Sequence, residues 1–293
     1  MSEQKYFQLQ YTELWEGKTG ITFGLNDILF SRQSAYQKVQ VLETDAHGRV
    51  LTLDGLVMLT ERDEFVYHEM ISHPALCLLK DAERVLVVGG GDGGTVREIL
   101  RHPSIKHVDL VEIDEMVINT SREFFPTVSS AFDDPRLNIR VQDGIAFVKA
   151  TEAAAYDLVI VDSTDPVGFA EGLFGEDFYR DCARILTDRG ILAAQTESPF
   201  DRSFHGTLQD AHNLLNRLFP QVHMYLASIP TYPFGTWSFT MATKGLHPVD
   251  DFDPEAARRL LAPFKDDLKY YNPEIHTAAF ALPNFVRKLI QTA

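Results

Sequence analysis

Arg84-Val85-Leu86-Val87-Val88-Gly89-Gly90-Gly91-Asp92-Gly93-Gly94-Thr95 decides the fold. A short valine-rich apolar run enters five glycines broken by one aspartate, and a helix-like segment, Val96 to Leu100, follows at once. A buried parallel strand enters the first turn of a doubly wound α/β sheet in this way. Gly89, Gly91 and Gly94 satisfy the dinucleotide spacing, which alone is a weak signal. Asp92 changes its meaning. The N-terminus of a helix attracts anions through its free N–H groups and dipole. A carboxylate in that mouth repels a pyrophosphate and favours a cation, so the loop is expected to hold a nucleoside with a positively charged tail and not NAD. The alternative is a plain glycine turn with a solvated Asp92.

Working outward, 293 residues suffice for one large or two smaller domains with a substantial core. The composition, 45% hydrophobic and 24% charged, is that of an ordinary globular protein. A net charge of −15, from 27 basic and 42 acidic residues, argues against nucleic acid or an anionic membrane as partner. Cys77 and Cys182 suggest no disulfide framework, and the scattered histidines show no zinc-like spacing, so no metal is expected. No signal segment or membrane span is recognisable, and cytoplasmic residence is the expectation.

Residues 1–80 read as a small N-terminal antiparallel β domain that includes the start of a connecting helix, and 81–293 as a Rossmann-like domain. Short strands are predicted at 21–24, 26–30, 39–43, 49–55 and 56–60, with turn chemistry at Asp45-Ala46-His47-Gly48 and Asp54-Gly55. A helix is predicted over Glu64 to His73, one side buried and Tyr67 and His68 looking elsewhere. From residue 84 strands and helices alternate: strands at 84–88, 108–114, 136–141, 156–162, 190–195, 222–226 and 237–242, helices after 95, at 119–124, from 145, near 254–261 and at 282–292. This is a mostly parallel α/β sheet of the methyltransferase type.

Ligands of such sheets bind outside the carboxyl ends of the strands. Asp92, Glu112, Asp143, Asp162 and Asp165 all stand at such ends. Glu112, 23 residues after Gly89, is placed for ribose hydroxyls or is merely an acid before a helix; Asp143 accepts from an adenine amino group or caps the helix at Ile145. The long segment after Asp162, with Phe169 and Phe174, has the make-up of a lid. Buried acids are costly without compensating cations, so two cationic reactants are expected in one mouth. Adenosylmethionine carries its own carboxylate, which Asp92 would repel. Its decarboxylated form ends in a bare propylamine, which Asp92 would pair.

The motifs Gly89-Gly90-Gly91-Asp92-Gly93-Gly94, Val111-Glu112-Ile113-Asp114, Asp162-Ser163-Thr164-Asp165-Pro166, Thr60 to Met70 and Ile229-Pro230-Thr231-Tyr232-Pro233, with Tyr270 to His276 and Phe280 to Pro283, closely resemble the spermidine synthases, the polyamine aminopropyltransferases. The resemblance spans nearly the whole chain. It implies transfer of an aminopropyl group from decarboxylated S-adenosylmethionine to putrescine, giving spermidine and methylthioadenosine, with no tightly bound cofactor. It implies Asp162 as proton acceptor. Gln37, Glu112, Asp143 and Gly144 would bind the nucleoside beside Gly89, Gly91 and Asp92, with Phe169 as a further contact. Tyr67, His68, Asp92, Asp162, Asp165 and Tyr232 would hold the amines, His68 remaining neutral. A homodimer or homotetramer is implied.

Two positions depart from the family pattern: Met58 stands where glutamine is common, and Phe169 where proline is usual. Met58 leaves open whether the acceptor is putrescine, cadaverine, agmatine or spermidine. A methyltransferase on the same fold and a non-catalytic nucleoside- or polyamine-binding module are the competing functions.

Overall fold

The computed structural model describes residues 9–15, 17–163, 172–173 and 175–291. Asp165 and Phe169 lie outside these residues. The N-terminal part is a five-stranded antiparallel meander in chain order: β1 (Leu9–Trp15), β2 (Thr19–Gln33), β3 (Lys38–Thr44), β4 (Gly48–Leu53) and β5 (Leu56–Thr60). Asp54 and Gly55 both take positive φ, 49° and 89°, as a tight two-residue hairpin turn requires. The strands predicted at 21–24 and 26–30 are one 15-residue strand, its register shifting between Leu25 and Asp27 and again between Ile28 and Phe30. Such irregularities bend a strand without ending it. β1 escaped prediction because its buried position is Glu13, while Leu9 and Leu14 are exposed. Both Glu13 oxygens are occupied, one by Val57 N–H at 2.7 Å and one by Trp15 Nε1 at 2.6 Å.

The larger sheet has seven strands among the described residues: β6 (Arg84–Gly89), β7 (His107–Glu112), β8 (Leu137–Val141), β9 (Tyr156–Asp162), β10 (Leu186–Gln195), β11 (Gln221–Ala227) and β12 (Trp237–Thr243). Their spatial order is β11-β12-β10-β9-β6-β7-β8. Strands β8, β7, β6, β9 and β10 are parallel, and β12 runs antiparallel to both of its neighbours. Alternation along each strand divides the core into two layers. Val85, Val87, Leu158, Ile160, Ile191 and Ala193 face one layer; Leu86, Val88, Val159, Val161, Leu192 and Ala194 face the other. Burying each large aliphatic side chain stabilises by about 1.5–3 kcal/mol, which makes these two faces the main source of stability.

The first layer is built on α1 (Glu64–Leu79), which is buried on nearly every side, Phe65 being the half-buried exception. This differs from the expected one-sided helix. The sheet covers one flank, and the C-terminal segment with α7 (Pro254–Leu261) and α8 (Pro273–Ala279) covers another. Glu69 ties that cover down: its carboxylate, 1% exposed, accepts from the backbone N–H groups of Lys269, Tyr270 and Tyr271 at 2.7–2.9 Å.

The remaining helices are α2 (Gly94–Leu100), α3 (Glu115–Phe124), α4 (Gly144–Ala150), α5 (Glu176–Ile185), α6 (His205–Leu218) and α9 (Asn284–Gln291). α3 begins four residues before the predicted 119 because Asp114 caps it, accepting from Met116 N–H at 3.0 Å. The N-terminal sheet packs on this helix: Val39, Val41, Leu51 and Leu59 share a cluster with Val117, Phe125 and Val128. Strand β6 lies between β7 and β9, so the chain leaves its end at the point where the strand order reverses, and a crevice opens there.

Replacing Glu69 by Ala leaves three buried backbone donors without their acceptor. A loss of about 3 kcal/mol is expected in urea-induced unfolding, against a small change for Glu69→Asp if the shorter carboxylate still reaches them.

Candidate active site

The glycines after β6 do more than turn the chain. Gly90 N–H donates to the Asp162 carbonyl at 2.8 Å, which locks the loop onto the end of β9. A Cβ on Gly90 would stand 2.7 Å from Asp162 Oδ2, one on Gly91 2.8 Å from Glu112 Cγ, and one on Gly94 2.3 Å from the His68 ring. Each is closer than two such atoms can approach. Glycine is needed here because three polar side chains from three different elements press against one loop.

Asp162 ends β9 and is 9% exposed. Its Oδ1 accepts from the Tyr67 hydroxyl at 2.7 Å and its Oδ2 from Thr95 Oγ1 at 2.6 Å. Burial, joined by the nearby Asp92 charge, raises its pKa above the usual carboxylate value, only partly offset by His68, Thr95 and Tyr67. Tyr67 is raised too, by burial and then by Asp162, and so stays a hydroxyl donor. Its ring lies 5.8 Å from that of Tyr232, which lies 4.9 Å from Trp237. The Tyr232 hydroxyl donates to the backbone carbonyl of Met58, while the Met58 side chain packs toward the apolar cluster around Val117 and Phe125.

Asp92 lies on the same side. Its Oδ1 accepts from Gly94 N–H at 2.7 Å and stands 3.2 Å from His68 Nε2. The other His68 nitrogen, Nδ1, meets Glu64 Oε2 at 2.6 Å. Burial by itself would lower the pKa of this histidine. A carboxylate on each nitrogen overrides burial and pushes it up to about 10. His68 is therefore an imidazolium, contrary to the expected neutral ring, and both N–H groups are spent on protein carboxylates. Burial works to raise Asp92 as well, but His68 holds it below the usual range. The compensation anticipated from substrate cations alone is in part supplied by the protein.

Across Gly91, Glu112 ends β7 and is 8% exposed. It accepts from Asp114 N–H at 2.8 Å and from the N–H groups of Gly91 and Ile113. Burial outweighs these bonds and pushes its pKa up to about 7. The helix cap here is Asp114, so Glu112 is not spent as one. Gln37 Nε2 donates to Asp114 Oδ2 at 3.1 Å, next to Ser34 Oγ at 2.7 Å. Asp143 is solvent-exposed and caps α4, accepting from Ile145 N–H at 2.8 Å and Ala146 N–H at 3.4 Å. Gly144 packs closely on Val88, and Gly89, at φ 83°, passes over the Asp162 carbonyl.

Tyr67, His68, Asp92 and Asp162 thus come together, Glu112 joins them across Gly91, and Tyr232 closes the side nearest β5. Three further groups had no assignment from sequence. Thr95 grips Asp162. Gln195 ends β10 beside Asp162 and donates to the Ser163 carbonyl at 3.1 Å. Glu197, 3% exposed and at φ 66°, follows it with its N–H on Gln195 Oε1 at 3.1 Å. A carboxylate just past the end of a fifth parallel strand was the available signal.

Residues 64–252 match the spermine/spermidine synthase domain and residues 10–61 the spermidine synthase tetramerisation domain. The polyamine aminopropyltransferase of Alkaliphilus metalliredigens is 48% identical over 97% of this chain and 98% of its own length. That of Clostridioides difficile is 44% identical over 97% and 99%. A solved spermidine synthase in complex with the transition-state analogue AdoDATO superposes with a TM-score of 0.92 at 40% identity, covering 97% of this chain and 96% of that one. The spermidine synthase from Thermotoga maritima gives 0.91 at 40% identity, covering 97% and 95%. With both halves matched in order and the strand-end carboxylates converging on one glycine loop, this chain belongs to the spermine/spermidine synthase family, the polyamine aminopropyltransferases.

Proposed function

We propose that the enzyme transfers the aminopropyl group of decarboxylated S-adenosylmethionine to putrescine, forming spermidine and methylthioadenosine. The observation that carries this is Asp162, a buried carboxylate gripped by Tyr67 and Thr95 beside the charge of Asp92. A primary alkylammonium, with a pKa near the lysine value of about 10, is no nucleophile at neutral pH. Asp162, made more basic by burial, takes a proton from it. The freed lone pair attacks the methylene carbon bonded to the sulfonium, the carbon–sulfur bond breaks, and sulfur leaves as a neutral thioether. Charge is dispersed in this step, so positioning supplies much of the acceleration.

Asp92 pairs the terminal ammonium of the donor. Glu112 takes the ribose hydroxyls, Asp143 and Gly144 the adenine edge, and Gln37 a polar edge of the nucleoside; Gly89 and Gly91 admit the ligand to the loop. Tyr67 and Tyr232 wall the methylenes of the acceptor; from the family resemblance, Asp165 is an amine contact and Phe169 a nucleoside contact. Glu197, at the end of β10, is suited to the far ammonium of a diamine. The N-terminal sheet, matched to a tetramerisation domain, assembles a dimer or tetramer, and the enzyme works in the cytoplasm. Among the described residues no helix is long and apolar enough to cross a membrane.

Incubation with a panel of putrescine, cadaverine, agmatine and spermidine, each with either intact or decarboxylated adenosylmethionine, tests the reading. The highest kcat/KM is expected with putrescine and the decarboxylated donor. Methylated amine from the intact donor would instead identify a methyltransferase. Replacing Asp162 by Asn is expected to lower kcat by about 10²–10⁴-fold while methylthioadenosine still binds, measured by steady-state kinetics and calorimetry. Retained turnover would remove Asp162 from the base role.

An ionised carboxylate accepts from ribose hydroxyls more strongly than a neutral carboxyl, and burial places the pKa of free Glu112 at about 7. Methylthioadenosine affinity is therefore expected to rise as pH increases toward that value and to level off above it. Binding at about pH 6 then releases a proton, detectable by calorimetry in buffers of different ionisation enthalpy, and Glu112→Gln removes the release.

A further inference from the structure

Behind His68 runs a second tier of buried charge. Glu64, on the first turn of α1, contacts His68 Nδ1 with Oε2, and the same carboxylate receives Arg97 through Nη2–Oε2 at 2.8 Å and Nη1–Oε1 at 3.0 Å. Arg97 belongs to α2, the helix that starts at the glycine loop, and its side chain is 12% exposed. Its Nε donates to Glu98 Oε1 at 2.7 Å, and Glu98 is held in turn by Arg101 at 2.8 Å and His73 at 3.1 Å. The contacts therefore run without a break from Asp92 through His68, Glu64 and Arg97 to Glu98. Both nitrogens of His68 are committed, one on either side, so the ring has a single orientation. That orientation fixes Asp92 Oδ1, which the Gly94 N–H also holds. Asp92 Oδ2 has no hydrogen-bond partner among the described residues.

We infer that Glu64 and Arg97 are positioning residues of the transfer reaction: they clamp the His68 ring against one oxygen of Asp92, so that the other oxygen is presented to the terminal ammonium of the donor. The inference rests on the reading of the cleft as an aminopropyltransferase site. The charges facing His68 are Glu64 from its own helix, Asp92 from the glycine loop and Asp162 from the end of β9, with the neutral Tyr67 hydroxyl beside them and Arg97 behind Glu64. A cationic His68 favours the ionised form of both Asp92 and Asp162 against burial and their mutual repulsion. Arg97 does the same service for Glu64, whose pKa burial would raise but His68 and Arg97 together pull down to about 2. The clamp thus stays charged on both sides across the whole working range.

The test compares the wild-type enzyme with Glu64→Gln, Arg97→Met and Arg97→Lys. Two ligands discriminate: the decarboxylated donor, which carries the ammonium, and methylthioadenosine, which has the same nucleoside without it. Glu64→Gln is expected to raise the donor KM about tenfold while methylthioadenosine affinity stays within about twofold, the loss expected for a misdirected charge-assisted bond. Arg97→Met moves the same ratio in the same direction, and Arg97→Lys restores it in part. In ¹⁵N spectra of the wild type, His68 is expected to remain an imidazolium at about pH 8.5. Donor and methylthioadenosine weakened in equal proportion would reduce the pair to a purely structural role, and a neutral His68 in the wild type would overturn the clamp directly. If Glu64→Gln does not fold, Arg97→Met and the wild-type titration still decide. A wild type inactive in aminopropyl transfer overturns the functional reading. An active wild type whose variants leave the ligand ratio unchanged overturns this inference alone.

Discussion

Carboxylates cannot be gathered at one buried mouth without a cation among them, and His68 is the cation this protein provides. Lying 2.6 Å from Glu64 and 3.2 Å from Asp92, it permits an ionised Asp92 near Asp162, whose pKa burial raises. Without it, mutual repulsion and desolvation would drive one of those acids to its neutral form. A neutral Asp92 could not pair an ammonium, and a neutral Asp162 could not take a proton. The glycine loop exists in this form because that histidine, Asp162 and Glu112 need the space a side chain would occupy.

The scaffold follows from the same requirement. α1 carries Glu64, Tyr67 and His68 into the crevice, and it can do so only because it is enclosed on nearly every side and cannot shift. Glu69, on the same helix, binds three backbone N–H groups of the C-terminal segment and so closes the layer over it. The parallel strands set the depth: β6, β7 and β9 end level with one another, so Gly89 pairs with Asp162 in the sheet, and Glu112 comes within van der Waals reach of the position a Gly91 side chain would take. The N-terminal sheet is anchored to the same region through α3, where Ser34 and Gln37 both reach Asp114.

The acids of the cleft are also of two kinds. One is proton-sensitive, Glu112, which accepts from backbone N–H groups of Gly91, Ile113 and Asp114. The others, Asp92 and Asp162, have their ionised forms favoured by His68 and, at Asp162, also by the hydroxyl donors Thr95 and Tyr67. The Met58 side chain joins the apolar contact with α3 and its carbonyl accepts from the Tyr232 hydroxyl, so position 58 contributes packing and a backbone acceptor beside Tyr232.

Much was determined by the sequence alone. Valine-rich runs ending in Gly or Asp at regular intervals specify parallel strands, because only strands buried on both faces are so uniformly apolar, and the acids at their ends lie at one edge for that reason. The family motifs then identified the chemistry. What local pattern did not disclose was anything decided by a neighbour distant in the chain. The one buried position of β1 is a glutamate, Glu13, which accepts from the distant Val57 N–H of β5. α1 was expected to bury one side only, and cover from several distant segments buries nearly all of it. His68 looked like a neutral amine ligand, since nothing within its own segment places Asp92 on its far nitrogen. Asp92 arrives there only when β6 and α1 pack together, and a proton's affinity depends on the charges around it in space, which sequence order does not record.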